Sequence, residues 1–364
     1  MPDRQRARHG ARRSFTILLA AGLLVAGCSG GGGDGERVAE PDPIDEPVTS
    51  GERPVQVVGA GTVRLFGTLT VPPAAGAASV PGALLVPASG RSDRNGLIGE
   101  TGAPDALAKD VARHLSDAGV VTYRYDRRGT GESKLEPDVR LTFDDLVADA
   151  RAGLDLLAQR KETSGRDLAV VGYDQGGLVA IRLAATDSRV KRLVLISVPG
   201  RSVLDVQAAE LAAAYGPESA EALRSTVAGL VATGTLPPLD AMRTELRPLL
   251  PPTEAPFLAQ LYGLDASVEA ARVTVPTLIV VPRNPDPYQP ARLAAAIRGA
   301  TVFTATSAGS TLQFVGPPPS EDPSDPASPV HDHGAATPLA DVERDGEALA
   351  QVTGFLSAAT APRG

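Results

Sequence analysis

The chain has 364 residues, 43% of them apolar and 21% charged, which supports a substantial core and excludes wholesale disorder. Its net charge of −8 argues against a nucleic-acid partner, which needs a basic face. A single Cys excludes an intramolecular disulfide and a Cys-built zinc cage, and four His leave few candidates for a general base.

Arg4, Arg6, Arg8, Arg12 and Arg13 form a basic start, followed by an apolar run from Phe15 to Ala26. That run is too short to span a hydrocarbon core of ~30 Å as a stable helix, so residues 1–27 read as an export signal. It ends in Val25-Ala26-Gly27-Cys28, which resembles the lipobox of bacterial lipoproteins, with the lone Cys28 at the lipidation position. The resemblance implies a chain held by lipidated Cys28 at the outer face of the cytoplasmic membrane. Arg12-Arg13-Ser14-Phe15 also resembles a twin-arginine signal, so the export route stays open. Residues 28–53, rich in Gly, Pro and acids, read as a flexible tether, and residues 54–360 as one domain.

Along that domain, alternation and turn residues predict a hairpin of Val55–Val58 with Val63–Val71 around Gly59-Ala60-Gly61. Ala83–Pro87 is a short apolar strand. Ala103–Ala118 is an amphipathic helix with Leu107, Val111 and Leu115 on one face. A strand at Val120–Tyr125 precedes a helix at Thr142–Arg160, with Thr142 as its cap. Strands at Leu168–Val171, Arg192–Val198, Thr277–Val281 and Thr301–Ala305 are interleaved with helices at Gly176–Ala185, Pro290–Ile297 and Val342–Leu356. This alternation predicts an α/β fold: a mostly parallel sheet with helices on both faces. The Ala- and Leu-rich stretch at about 201–272 reads as a helical cap insertion, and the Pro-rich stretch at about 316–338 as a loop.

Four segments in this frame resemble those of the α/β-hydrolase superfamily, in its esterase and dienelactone-hydrolase-like branch. Ala88-Ser89-Gly90-Arg91-Ser92-Asp93-Arg94-Asn95-Gly96 resembles the loop after the third strand. Tyr125-Asp126-Arg127-Arg128-Gly129-Thr130-Gly131-Glu132-Ser133 resembles that branch's YDxRGxGxS turn. Gly172-Tyr173-Asp174-Gln175-Gly176-Gly177 stands where the nucleophile elbow belongs, and Asp286 follows the strand at Thr277–Val281, where the acid of the triad sits. The resemblance implies an oxyanion hole from the backbone N–H groups of Ser89 and Gln175.

The catalytic positions depart from that pattern. The nucleophile position holds Asp174, which suits the turn, caps a helix and should gain from its N-terminus. Its fixed carboxylate would repel a developing oxyanion. The family's His falls at Ser310, within Ser307-Ala308-Gly309-Ser310-Thr311-Leu312, and serine is no general base near neutral pH. His9 lies in the signal and His114 in a helix. His331 and His333 lie in the Pro-rich loop, which is read as solvated; a loop of that length can also return one of them to Asp286. His331-Asp332-His333 lacks the further ligands of a metal site, and neither metal nor cofactor is expected.

Two functions follow. In the first, the chain is a non-catalytic or strongly impaired relative of carboxyl-ester hydrolases. It keeps the pocket for a small ester-like or apolar ligand, meets a membrane only through its lipid, and binds no nucleic acid. In the second, it is an active hydrolase like the epoxide hydrolases and haloalkane dehalogenases. Asp174 is then the nucleophile, Asp286 the acid, and His331 or His333 the base. Tyr215 and Tyr262 lie in the cap, where epoxide hydrolases keep ring-activating tyrosines; core or surface roles suit them better. The halide-binding Trp of the dehalogenases is missing.

Overall fold

A computed structural model describes residues 50–76, 79–90, 92–96, 106–136, 139–163, 166–284, 288–313 and 343–358. Cys28, Asp286, His331 and His333, with the signal, most of the tether and the Pro-rich loop, lie outside them.

The strands are β1 (Gly51–Val58), β2 (Arg64–Val71), β3 (Gly82–Val86), β4 (Val121–Tyr125), β5 (Leu168–Tyr173), β6 (Val190–Ile196), β7 (Thr277–Pro282) and β8 (Thr301–Ala305). They form one sheet in the order β1-β2-β4-β3-β5-β6-β7-β8. β1 and β2 pair antiparallel, as do β2 and β4, and every other pair is parallel. The helices are α1 (Leu107–Asp117), α2 (Phe143–Gln159), α3 (Gln175–Thr186), α4 (Val203–Tyr215), α5 (Pro217–Thr233), α6 (Ala255–Tyr262), α7 (Ala266–Ala270), α8 (Pro290–Ala296) and α9 (Gly346–Ser357). This is the α/β-hydrolase fold.

The apolar strands are buried on both faces, as parallel strands between helical layers must be. Alternate residues serve two cores. Leu84, Val86, Val170, Leu193, Leu195 and Ile279 point to the side of α2, α3 and the helices after β6. Leu85, Val171, Val194, Ile196 and Leu278 point to α1 and α9, against Val111, Leu115, Leu349 and Val352.

The strand β1 begins at Gly51, so residues 51–53 pair with β2 rather than belonging to the tether. Helix α1 begins at Leu107 rather than Ala103, because Ala106 takes a left-handed conformation (φ 59°). Helix α9 begins at Gly346 rather than Val342, after Asp345 accepts from the Ala348 N–H as its cap. Thr142 does cap α2, in a reciprocal box with Asp145.

Helices α4–α7 occupy the stretch between β6 and β7. Leu211, Leu223, Val227, Leu230, Leu258 and Leu261 join the α2–α3 core. Gln260 of α6 fastens this layer to the body: its Oε1 accepts from the Phe143 N–H at 2.7 Å and the Asp144 N–H at 3.2 Å. Those are first-turn donors of α2 that no intrahelical carbonyl can reach. Tyr262 is buried and donates to Gln207, while Tyr215 is exposed, so neither cap tyrosine is aimed at the elbow.

Candidate functional site

The elbow lies between β5 and α3. Asp174 has φ 51° and ψ −125°, a strained conformation for a non-glycine residue. The turn is forced by close packing. A Cβ on Gly176 would stand 2.4 Å from the Pro87 carbonyl oxygen, one on Gly172 2.6 Å from that of Gly176, and one on Gly177 2.0 Å from a Val198 methyl. Only glycine lets α3 start this near the ends of β3 and β6. Ser197, Gln289 and Leu312 also have positive φ, so four of the six such non-glycine residues among those described surround this end of the sheet. Ligands of open α/β sheets bind at the carboxyl ends of the strands.

The loop after β3 is fixed by charge. Asp93 Oδ1 accepts from the N–H groups of Asn95 (2.8 Å) and Gly96 (3.0 Å). Arg94 then forks onto Asp126, 1% exposed, through Nε (2.9 Å) and a terminal nitrogen (2.6 Å), and also pairs with Glu132. Asp126 accepts from the Arg94 and Glu132 N–H groups as well, both at 2.8 Å. Thr130 donates to the Ser92 carbonyl at 2.8 Å, so the two motif loops are clamped to each other. The result places Ser89, 2% exposed, against the elbow.

Ser89 Oγ donates to Asp174 Oδ2 at 2.6 Å. The backbones of Gln175 and Ser89 also act on the Asp174 carboxylate and favour its charge. These are the donors assigned to the oxyanion hole, and here they serve the side chain itself. Asp174 does not cap α3 through its side chain, and the balance of effects raises its pKa: burial outweighs the Ser89 hydroxyl, the two N–H groups and the charge of Arg127. The expectation that the helix end would simply favour its charge is corrected by that burial.

Several groups that the motifs did not single out as site residues converge here. Arg127, 8% exposed, lies 5.5 Å from the ring centre of Phe257 on α6 and acts on both Asp174 and Glu254. Burial raises the Glu210 carboxyl of α4 to about 7, against the pull of Arg201 and with a push from Asp174. Tyr288, pushed up to about 12 mainly by burial, feels Asp174, Ser310 and Glu210. The Ser310 carbonyl accepts from Ser197 Oγ at 2.6 Å. His114 stays in α1, its Nδ1 2.8 Å from the Asp110 carbonyl. No group of three or more His, Cys, Asp or Glu among the described residues could hold a metal ion. No described helix is long and apolar enough to cross a membrane.

Glu210 gives a pH signature. It is protonated in the folded chain to about pH 7 but ionises near 4.3 when unfolded, so it favours folding at low pH and loses that contribution as pH rises to 7. Glu210→Gln should remove this loss. Its thermal stability relative to the unaltered chain should rise between pH 4.5 and 8, by about 1 kcal/mol once solvent screening of this half-buried group is allowed for. Parallel Tm–pH curves for the two proteins would refute the assignment.

The sequence profile described as "Serine aminopeptidase, S33" matches residues 105–227, a stretch that includes the elbow and helices α4 and most of α5. The chain is 27% identical over 246 residues to Esterase EstD of Thermotoga maritima, which covers 66% of this chain and 53% of that protein. The chain therefore spans about half the length of that curated relative. Among solved structures, the Pyrococcus furiosus esterase Pf2001 is 13% identical, with 88% of this chain and 99% of that one covered and a TM-score of 0.48. A hydrolase from Pseudomonas aeruginosa is 23% identical, with 69% and 89% covered and a TM-score of 0.44.

Proposed function

We propose that this chain is an exported, lipid-anchored α/β-hydrolase-fold protein that binds a small ester-like ligand without cleaving it. One observation carries the reading: the Ser89 hydroxyl is bonded to the Asp174 carboxylate, and the backbones of Ser89 and Gln175 act on the same group. An acyl-transfer enzyme aims such donors at the oxygen that becomes negative in the transition state. A carboxylate already there shuts an ester carbonyl out and opposes new negative charge. Ser310 supplies no base. The likeness to an esterase supports an ester-sized ligand, and Arg127, Glu210 and Tyr288, which all interact electrostatically with Asp174, would give it polar partners.

The same hydrogen bonds favour a second reading. If Asp174 attacked an alkyl carbon, the donors of Ser89 and Gln175 would hold the carbonyl oxygen of the resulting Asp174 ester. Water must then attack that ester with help from a base, which this reading draws from His331 or His333 near Asp286. One assay separates the two: hydrolysis of p-nitrophenyl butyrate and of an aliphatic epoxide by the unaltered chain beside Asp174→Ala.

The anchor has its own test. Cys28→Ser should move the chain from the membrane fraction to the soluble fraction of its native host. A variant that stays with the membrane would exclude lipidation at Cys28.

A further inference from the structure

We infer that a groove between α4, α5 and the start of α8 binds a compact organic dianion through its arginines. The groove has a volume of about 400 Å³, within the range of small-molecule sites. Its floor is small: Ala208, Ala209 and Ala212 of α4 face Ala220 of α5. Its rim carries three guanidiniums, Arg201, Arg224 and Arg292, against one carboxylate, Asp205.

Those charges are not equivalent. Arg224 is spent on Asp205, at 2.8 Å. Arg201 and Arg292 stand outside any ion pair among the described residues, and Arg201 Nε is buried with no hydrogen-bond partner, while Arg201 acts at longer range on Asp205 and Glu210 and Arg292 on Asp265. Three guanidiniums against one lining carboxylate make the concave site net positive in a chain of net charge −8. Guanidinium forks bind carboxylate or phosphate oxygens in pairs, so two of them suit two anionic groups on one small molecule. Gln289 adds an amide at the same wall, held in the left-handed region (φ 44°) by a turn whose carbonyl lies against Gly200.

Gln289, at the groove wall, directly follows Tyr288, and Arg201 acts on Glu210. Anion binding is independent of chemistry at Asp174. Its failure would remove the groove alone, whereas ester turnover would remove the non-catalytic reading alone.

The experiment is isothermal titration, at fixed ionic strength, of the unaltered chain with succinate and with glycerol 3-phosphate, and of chloride as the control. Arg292→Ala alters an exposed residue and should keep the fold; Arg201→Gln tests the second fork, and Arg298→Ala, exposed outside the groove, reports non-specific charge. The expected result is saturable binding of at least one probe, weakened about ten-fold or more by Arg292→Ala and by Arg201→Gln and unchanged by Arg298→Ala. Preference between the probes then tells carboxylate from phosphate. The inference is overturned if neither probe binds beyond chloride, or if Arg298→Ala weakens binding as much as Arg292→Ala does.

Discussion

Asp174→Ser combined with Ser310→His is expected to hydrolyse p-nitrophenyl butyrate about 100-fold or more faster than the unaltered chain, since a freed oxyanion hole and a general base are each worth about that much. The first substitution exchanges a carboxylate for a hydroxyl in the same strained turn. It releases the N–H groups of Ser89 and Gln175 for a substrate oxygen. The second puts an imidazole in place of the serine that acts on Tyr288. Asp174→Ser alone should stay near background, because the new hydroxyl has no partner to take its proton. The strained elbow and the charge-clamped loop after β3 survive both changes. A folded double variant with a Tm like the parent's and no activity would show that more than these two side chains separates the chain from its hydrolytic relatives.

Asp126→Ala is expected to cost about 3–5 kcal/mol, the usual penalty for removing one partner of a buried ion pair. For a domain this large that corresponds to a fall in Tm of roughly 6–20 °C. Asp126 is 1% exposed and takes the Arg94 fork together with the N–H groups of Arg94 and Glu132. Alanine would leave the Arg94 guanidinium short of its main acceptor and free the loop that presents Ser89. Asp126→Asn keeps acceptor oxygen but loses charge, so it should fall between the two. A change below 1 kcal/mol in thermal or urea unfolding for Asp126→Ala would mean that the clamp is redundant.

Much of the frame was legible because it rests on local signals. Apolar runs bounded by Gly and Pro marked the strands, Thr142 marked a cap, and glycines at 172 and 176 marked a turn that tolerates no Cβ. The start of α1 was not, since the left-handed Ala106 carries no glycine or asparagine to announce it. The site was legible only as far as its motifs. Asp174, Ser89 and Gln175 could be placed together because elbow and loop are sequence patterns. Glu210 and Arg201, of α4 and its preceding turn, lie far in the chain from Tyr288 after β7, and the two segments come together only through the fold. The pKa of Asp174 illustrates the same limit. Helix polarity pointed to a favoured charge, but burial, which no short pattern encodes, decides its direction.

Whether Asp174 does chemistry separates a binding protein from a working hydrolase. The most direct measurement is the rate of p-nitrophenyl butyrate and epoxide hydrolysis by the purified chain, set against Asp174→Ala. The expected result is the buffer rate for both proteins with both substrates. Turnover by the unaltered chain that disappears in Asp174→Ala would contradict it and make Asp174 a working nucleophile.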